Sequence, residues 1–359
     1  VPNPFRSIRI NDHRRRAAGG LMRLIFGKPA QPSGQPLPAT GIYRILICHV
    51  SHTLGNALLL TPLIQELETS YPGAQIDIVT RSQVAEAIYG RYFNVDRVFK
   101  LPAHAFGHPL RFWRELRGMR KTRYDLAIDP DPQSQTGRLL LLRANATWKL
   151  GFDSPKKSGN VTHAVAMTDA PISKGQRPVF LLRSALGTVH ATPYPVPDIR
   201  LSADEREQGR LALSRLFGAQ ARKRRVIGIF ANATGPKLLG ADWWTPFLQS
   251  LETAGTDLDI VEIVPAFGRS LLGSRYRAYY SGDLRKLASV LAALDAYTSA
   301  DCGIMHLACA AGAPTLGIFN TTSADEWGPY GPGNQIIHAY DRTPADVARE
   351  IAAIATADR

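Results

Sequence analysis

The feature that most narrows what this chain can fold into is an alternation of strand-like and helix-like segments that runs through it twice. From Tyr43 to Ser51 the run YRILICHVS is almost continuously apolar, as a central parallel strand buried on both faces requires. After HTLGN, the residues Leu59, Leu60, Leu63, Ile64 and Leu67 recur at helical spacing, Pro72 and Gly73 stop that helix, and AQIDIVT (Ala74 to Thr80) begins the next strand. VDRVFKLP, YDLAIDP and TWKLGFD read as further strands separated by helical stretches. Strands joined through helices lie parallel, in a sheet whose faces are both covered.

The alternation breaks at HATPYPVPDI (His190 to Ile199), with three prolines in ten residues, which reads as an interdomain linker. Ser202 and Glu205 then have capping-box spacing for a helix reaching about Phe217. The second series follows: VIGIFANA and LDIVEIVP as strands around the helix DWWTPFLQSLETAG, then DLRKLASVLAAL as a helix and LDAYTSA as a strand. GIMHLACAAG as a helix, PTLGIFN as a strand, and a last helix opened by Thr343 and Pro344 complete it. The expected organisation is a basic extension and linker over 1–41, a Rossmann-like domain over 42–190, a second over 191–342, and a C-terminal helix over 343–359. At 359 residues and 45% hydrophobic content, each half has the means to bury its own core.

The 43 Lys and Arg residues outnumber the 30 Asp and Glu residues, for a net charge of +13, which favours an anionic partner: nucleic acid, phospholipid or phosphorylated glycan. Part of the excess sits in Arg6, Arg9, Arg14, Arg15, Arg16, Arg23 and Lys28, around the apolar run LMRLIF. That segment reads either as a disordered tail or as an amphipathic turn resting on an anionic membrane surface. Nucleic acid is not expected, because the arginines lack an interleaved aromatic platform. Cys48, Cys302 and Cys309 are odd in number and without CxxC spacing, which argues against a disulfide framework or a zinc site. With no apolar run of about 18–20 residues and no signal-peptide pattern, the expected location is the cytoplasm, including a peripheral position on the inner face of the inner membrane.

Three strand-to-helix turns and one basic stretch carry candidate chemistry. In SADCGIMHLACAAG (Ser299 to Gly312) a strand ends, Asp301, Cys302 and Gly303 turn the chain, and a helix begins; such a helix start offers free amides to a diphosphate. Gly303 permits close approach, Asp301 is placed to accept from sugar hydroxyls, and His306 follows on the same helix. In ANATGPKLLGADWW (Ala231 to Trp244), Lys237 is suited to neutralise a departing diphosphate, with Asn232 and Thr234 as neutral partners. HVSHTLGNALLLTP (His49 to Pro62) places His52 and Asn56 in a loop outside the carboxyl end of a strand. Asp129 and Asp131 stand at another strand end, and Arg111, Arg114, Arg117 and Arg138 are candidates for binding an anionic acceptor.

The segment from Ser299 to Asn320 resembles the signature of glycosyltransferase family 9, in which Asp-Thr-Gly precedes a His-Leu-Ala-Ala helix and then a strand. TTSADEWGPYG (Thr321 to Gly331) is similar to that family's loop ending in Trp-Gly-Pro-Tyr-Gly, and HTLGNALLLTPLIQELETSYPGAQIDIV to its Leu-Thr-Pro helix. Lys237 stands before Trp244 as a family lysine stands before a tryptophan. The resemblance spans about residues 43–340 and implies a GT-B fold: two Rossmann-like domains facing a central cleft.

It further implies an inverting transfer of a sugar, heptose from ADP-heptose, onto an anionic lipopolysaccharide core or related glycan, with no cofactor and no metal. The family's base is an Asp after the loop glycine. Here that residue is Asn56, which cannot take a proton at neutral pH, leaving His52, Asp129 and Asp131 as candidates. The loss also admits a second reading, a catalytically silent protein that binds a nucleotide-sugar or glycan.

Overall fold

The computed structural model describes residues 35–102, 109–154, 161–168, 172–189, 193–218 and 224–357. In the first half, strands β1 (Arg44–Cys48), β2 (Gln75–Thr80), β3 (Val95–Lys100), β4 (Tyr124–Asp129), β5 (Ala146–Asp153) and β6 (His163–Ala166) alternate with helices. These helices are α1 (Leu54–Leu58), α2 (Thr61–Ser70), α3 (Ala85–Tyr89), α4 (Pro109–Lys121), α5 (Gln135–Arg143) and α6 (Arg177–Leu186). The second half repeats the plan with β7 (Arg225–Phe230), β8 (Leu258–Ile263), β9 (Arg277–Tyr279), β10 (Ala296–Ala300), β11 (Thr315–Phe319) and β12 (Gln335–His338). Its helices are α7 (Ala203–Phe217), α8 (Ala241–Ala254), α9 (Leu284–Leu291), α10 (Gly303–Ala311), α11 (Ala324–Trp327) and α12 (Pro344–Thr356).

Both sheets are six-stranded and parallel, in the orders β3-β2-β1-β4-β5-β6 and β12-β11-β10-β7-β8-β9. Each is the doubly wound order, which opens a crevice where the winding reverses, between β1 and β4 and between β7 and β10. The apolar run of β1 has its expected cause. Ile45 and Ile47 face one core, with Leu58, Leu63 and Ile64, while Leu46 and Cys48 face another, with Leu116, Met119 and Leu140. The larger core continues through the connection at Ile199 and Leu201 into the second half, where Val226, Leu307 and Ile351 belong to it.

The capping box of α7 is present as read, with Ser202 Oγ accepting from the Glu205 amide at 3.1 Å and Glu205 Oε2 from the Ser202 amide at 2.8 Å. The leucine-rich stretch after HTLGN forms two helices, because Thr61 Oγ1 donates to Leu58 O at 2.7 Å and Pro62, lacking an amide proton, starts α2 afresh. Three strands had no sequence signal, β6, β9 and β12, of four, three and four residues; each is an edge strand and needs no long apolar run. Arg6 through Lys28 fall outside the described residues. The chain from Gln35 onward is docked on the first half, where the Leu37 amide donates to Ala185 O at 2.7 Å and Tyr71 Oη to Pro38 O at 2.9 Å.

Two readings of acceptor-binding residues are corrected here. Asp129 and Arg138 are fully or almost fully buried. Arg138 Nε donates to Asp129 Oδ2 at 3.3 Å and Nη2 to Phe152 O at 2.6 Å. They form an ion pair inside the first domain, tying α5 to β4 and β5, and present nothing to a ligand. Residue type at a strand end does not reveal whether a side chain turns inward.

The halves meet at two glycines. A Cβ on Gly55 in α1 would lie 2.7 Å from His306 Cδ2 of α10, and one on Gly303 would lie 3.2 Å from Leu54 Cβ. Gly55→Ala is therefore expected to cost about 1–3 kcal/mol through overpacking, whereas Gly73→Ala, whose Cβ meets nothing within 4 Å, should be near neutral; urea denaturation of the two variants compares them. Arg138→Ala leaves the Asp129 carboxylate buried without its cation, and the same measurement should show a loss of about 3–5 kcal/mol.

Candidate functional site

The two crevices of the sheets open toward one another, because α1, which follows β1, touches α10, which follows β10. On the second domain's side, the chain leaves β7 through Ala231–Gly240 and leaves β10 through Asp301 and Cys302. Lys237, at the end of a short 3-10 turn over Gly235–Lys237, reaches across this crevice to Asp301, with Nζ 3.2 Å from Oδ2. Thr322 Oγ1 donates to the same oxygen at 2.8 Å, and His306 Nε2 lies 3.8 Å from Oδ1. The Asp301 carboxylate is buried, with Oδ2 shared by Lys237 and Thr322. It therefore fixes Lys237 and the β11 loop in place, while Oδ1 faces the His306 ring at a distance too long for a hydrogen bond.

Lys237 remains partly exposed beside the start of α10. No side-chain oxygen caps that helix, a condition that suits an anion at its start; the Cys302 thiol lies against the Ile304 and Met305 amides, and Leu54 of α1 packs over Gly303. Asn232 is half-buried and Thr234 exposed in the loop that bears Lys237. The Cys302 side chain turns inward, with its thiol 3.5 Å from Ser299 Oγ, and burial pushes that thiol upward; it is a packing residue, not a ligand contact. His306 is also a packing residue. Its ring seats against Gly55, and burial, only partly opposed by Asp301, lowers it to about 4, so it is neutral at neutral pH.

The first domain contributes a cavity of about 540 Å³ at its own crevice, lined by the loop from His49 to Asn56, by Pro130–Thr136, and by Arg81, Lys174 and Arg177. His52 and Asn56 both face this space, and the Asn56 amide donates to Ser51 Oγ at 3.1 Å. Asp131 lines it too, with Oδ1 accepting from the Gln133 amide at 2.7 Å. His49 is buried at the back; burial takes its imidazole down to about 4, against the pull of Asp131 and with the push of Lys174.

The cations that line the cavity are not those expected from the sequence. Arg114 is exposed on α4 and pairs with Glu115 at 3.1 Å. Arg117 is exposed beside a separate cavity with Arg120 and Lys121, and the Arg111 side chain falls outside the described residues. Arg81 stands alone in its loop, and Lys174 and Arg177, just before and at the start of α6, belong to no motif that would mark them in sequence.

Lys174 and Arg177 also bind the second domain. Glu326 Oε1 accepts from Arg177 Nη1 at 2.8 Å and from Lys174 Nζ at 3.4 Å, while the Lys174 amide donates to Glu326 O at 2.9 Å. Lys174 Nζ lies 4.1 Å from the centroid of the Trp327 ring, a cation–π distance, and Trp327 stands 6.4 Å from His306. The loop Thr321–Gly331 thus bridges the Lys237–Asp301 network to the wall of the first domain's cavity.

With this geometry in view, comparison with known proteins is informative. Residues 282–352 match the model of glycosyltransferase family 9 (heptosyltransferase). No curated protein sequence matches the chain. A family 9 glycosyltransferase structure from Veillonella parvula superposes with a TM-score of 0.68 at 15% identity, covering 85% of this chain and 88% of that one. The E. coli ADP-heptose lipopolysaccharide heptosyltransferase II gives 0.66 at 19% identity, over 87% and 98% of the two chains. E. coli heptosyltransferase WaaC with ADP gives 0.64 at 18%, over 87% and 100%. The family 9 match thus covers part of the second domain, from α9 into α12, and the chain as a whole shares the fold of these transferase structures.

Proposed function

We propose that the protein transfers a sugar from a nucleoside diphosphate donor to an anionic glycan or glycolipid, with inversion at the anomeric carbon. The observation that carries this reading is Lys237, held by Asp301 beside the uncapped start of α10. A fixed cation next to a helix start is complementary to the charge that grows on a departing diphosphate. Because Asp301 holds the ammonium before substrate arrives, little reorganisation is needed when the bond breaks. The acceptor belongs in the cavity opposite, whose Arg81, Lys174 and Arg177 suit phosphate or carboxylate groups.

ADP-heptose is the donor suggested by the fold's neighbours, whose names include ADP and heptose. The inner-core region of lipopolysaccharide is the corresponding acceptor, reached from the cytoplasmic face of the membrane. No helix among the described residues is long and apolar enough to cross a membrane. The silent binding protein has no support beyond Asn56 itself.

Calorimetric titration with ADP-, UDP- and GDP-sugars tests the donor reading. One of these sugars should bind, and Lys237→Ala should weaken it about tenfold to a hundredfold, the worth of one hydrogen bond to a charged group. Arg224→Ala, which removes an exposed charge beside β7, should leave the affinity within about twofold at physiological salt, where distant surface charges are screened. Equal losses in the two variants would mean that overall charge, and not a placed cation, holds the donor.

A further inference from the structure

We propose that Asp131 is the general base that deprotonates the acceptor hydroxyl, replacing the carboxylate absent at position 56; this rests on the transferase reading above. Asp131 is the one carboxylate among the described residues that line the first domain's cavity. It stands on the wall opposite the loop that carries Asn56, and the two loops flank the crevice between β1 and β4. A carboxylate moved from one wall to the other can still face a hydroxyl held between them.

The other candidates fail on access or orientation. Asp129 is sealed in its pair with Arg138. The Nδ1 atom of His49 is buried without a hydrogen-bond partner, out of reach of a hydroxyl on a bulky glycan. His52 is exposed at the rim, and no carboxylate orients its ring. Asp131 is half-buried, and the Gln133 amide bonds its Oδ1 at 2.7 Å, which leaves the second oxygen to serve as the base. Arg81, Lys174, Arg177, His49 and His52 are the charged or titratable groups that share the cavity with it. Lys174 and Arg177 have Glu326 as a counter-ion, so their charge does not fall wholly on Asp131.

The step balances as a single displacement. The acceptor oxygen forms a bond to the anomeric carbon while the bond from that carbon to the diphosphate oxygen breaks. The electron pair leaves on the diphosphate, stabilised by Lys237, and the hydroxyl proton passes to Asp131, from which solvent removes it. A carboxylate is a sufficient base here, because the acidity of the attacking hydroxyl rises steeply as its oxygen bonds to an electron-poor carbon.

The test uses the full chain, its Asp131→Asn and His52→Ala variants, the ADP-, UDP- and GDP-sugar panel, and heptose-free inner-core glycolipid as acceptor. Donor affinity is read by calorimetry, and turnover by release of nucleoside diphosphate across pH. Asp131→Asn is expected to lower turnover about 10²- to 10⁴-fold and to keep the donor affinity of the native chain. His52→Ala, which trims the rim of the same cavity, should lose far less turnover than Asp131→Asn at saturating acceptor, since the general-base assistance comes from the carboxylate.

Several results would overturn the assignment: turnover kept in Asp131→Asn, turnover lost in His52→Ala, or Asp131→Asn losing donor affinity along with rate. A native chain that binds a nucleotide-sugar without turning it over would remove Asp131 as base and leave the donor site standing. A native chain that binds none of the panel would remove both.

Discussion

The arrangement depends on a close contact between two helix starts. α1 and α10 each follow the first strand on one side of a winding reversal, and parallel sheets put such starts at the carboxyl edge. Two edges of this kind can face each other at short range only if nothing projects from either helix. Gly55 and Gly303 meet that condition, with His306 and Leu54 filling the space that side chains on them would occupy. Everything functional is arranged around this contact: the Lys237–Asp301 pair on one side of it, the His49–Asn56 loop on the other.

Charge is distributed unequally across the junction. The second domain commits the Asp301 carboxylate inward, where Lys237 and Thr322 share it, and leaves the Lys237 ammonium partly exposed beside it. The first domain's wall is also cationic, through Arg81, Lys174 and Arg177, but Asp131 interrupts it. Each side of the junction thus presents cations of its own, and the first domain's cavity holds a single carboxylate, Asp131, among them.

Much of the fold was legible because it rests on burial, and burial leaves a periodic trace. The runs around β1, β7 and β10 are apolar since both faces of a central strand are covered, and Ser202 and Thr343 announce helix starts by their caps. Edge strands leave no such trace, and β9, with three residues, had none. The site was legible only in part. Lys237 and Asp301 are separated by 64 positions, and it was the resemblance, not local pattern, that brought them together. Asp129 and Asp131 look alike in sequence, two positions apart, yet one is sealed in a core and the other lines a cavity. The direction a side chain takes at a strand end is decided by what packs on it, here Arg138, and no spacing rule carries that information.

The proline-bearing connection between the domains has a mechanical consequence. Its backbone is bonded on both sides: Gln65 and Tyr330 donate to Val196 O and Pro195 O at 2.8 and 3.0 Å, and Tyr92 to Asp198 O at 2.7 Å. The Ile199 amide donates to Ala310 O at 2.9 Å, and Arg285 reaches Ala87 O, Ile199 O and Arg200 O at 2.7, 3.1 and 3.0 Å. A segment riveted in this way behaves as the stitched spine of a book. Glu326, bonded to Lys174 and Arg177, adds a second tie between the covers, which resists their sliding past one another. Register between the two crevices is then set by the connection itself, so the Lys237 side of the second domain and the cavity of the first keep one alignment.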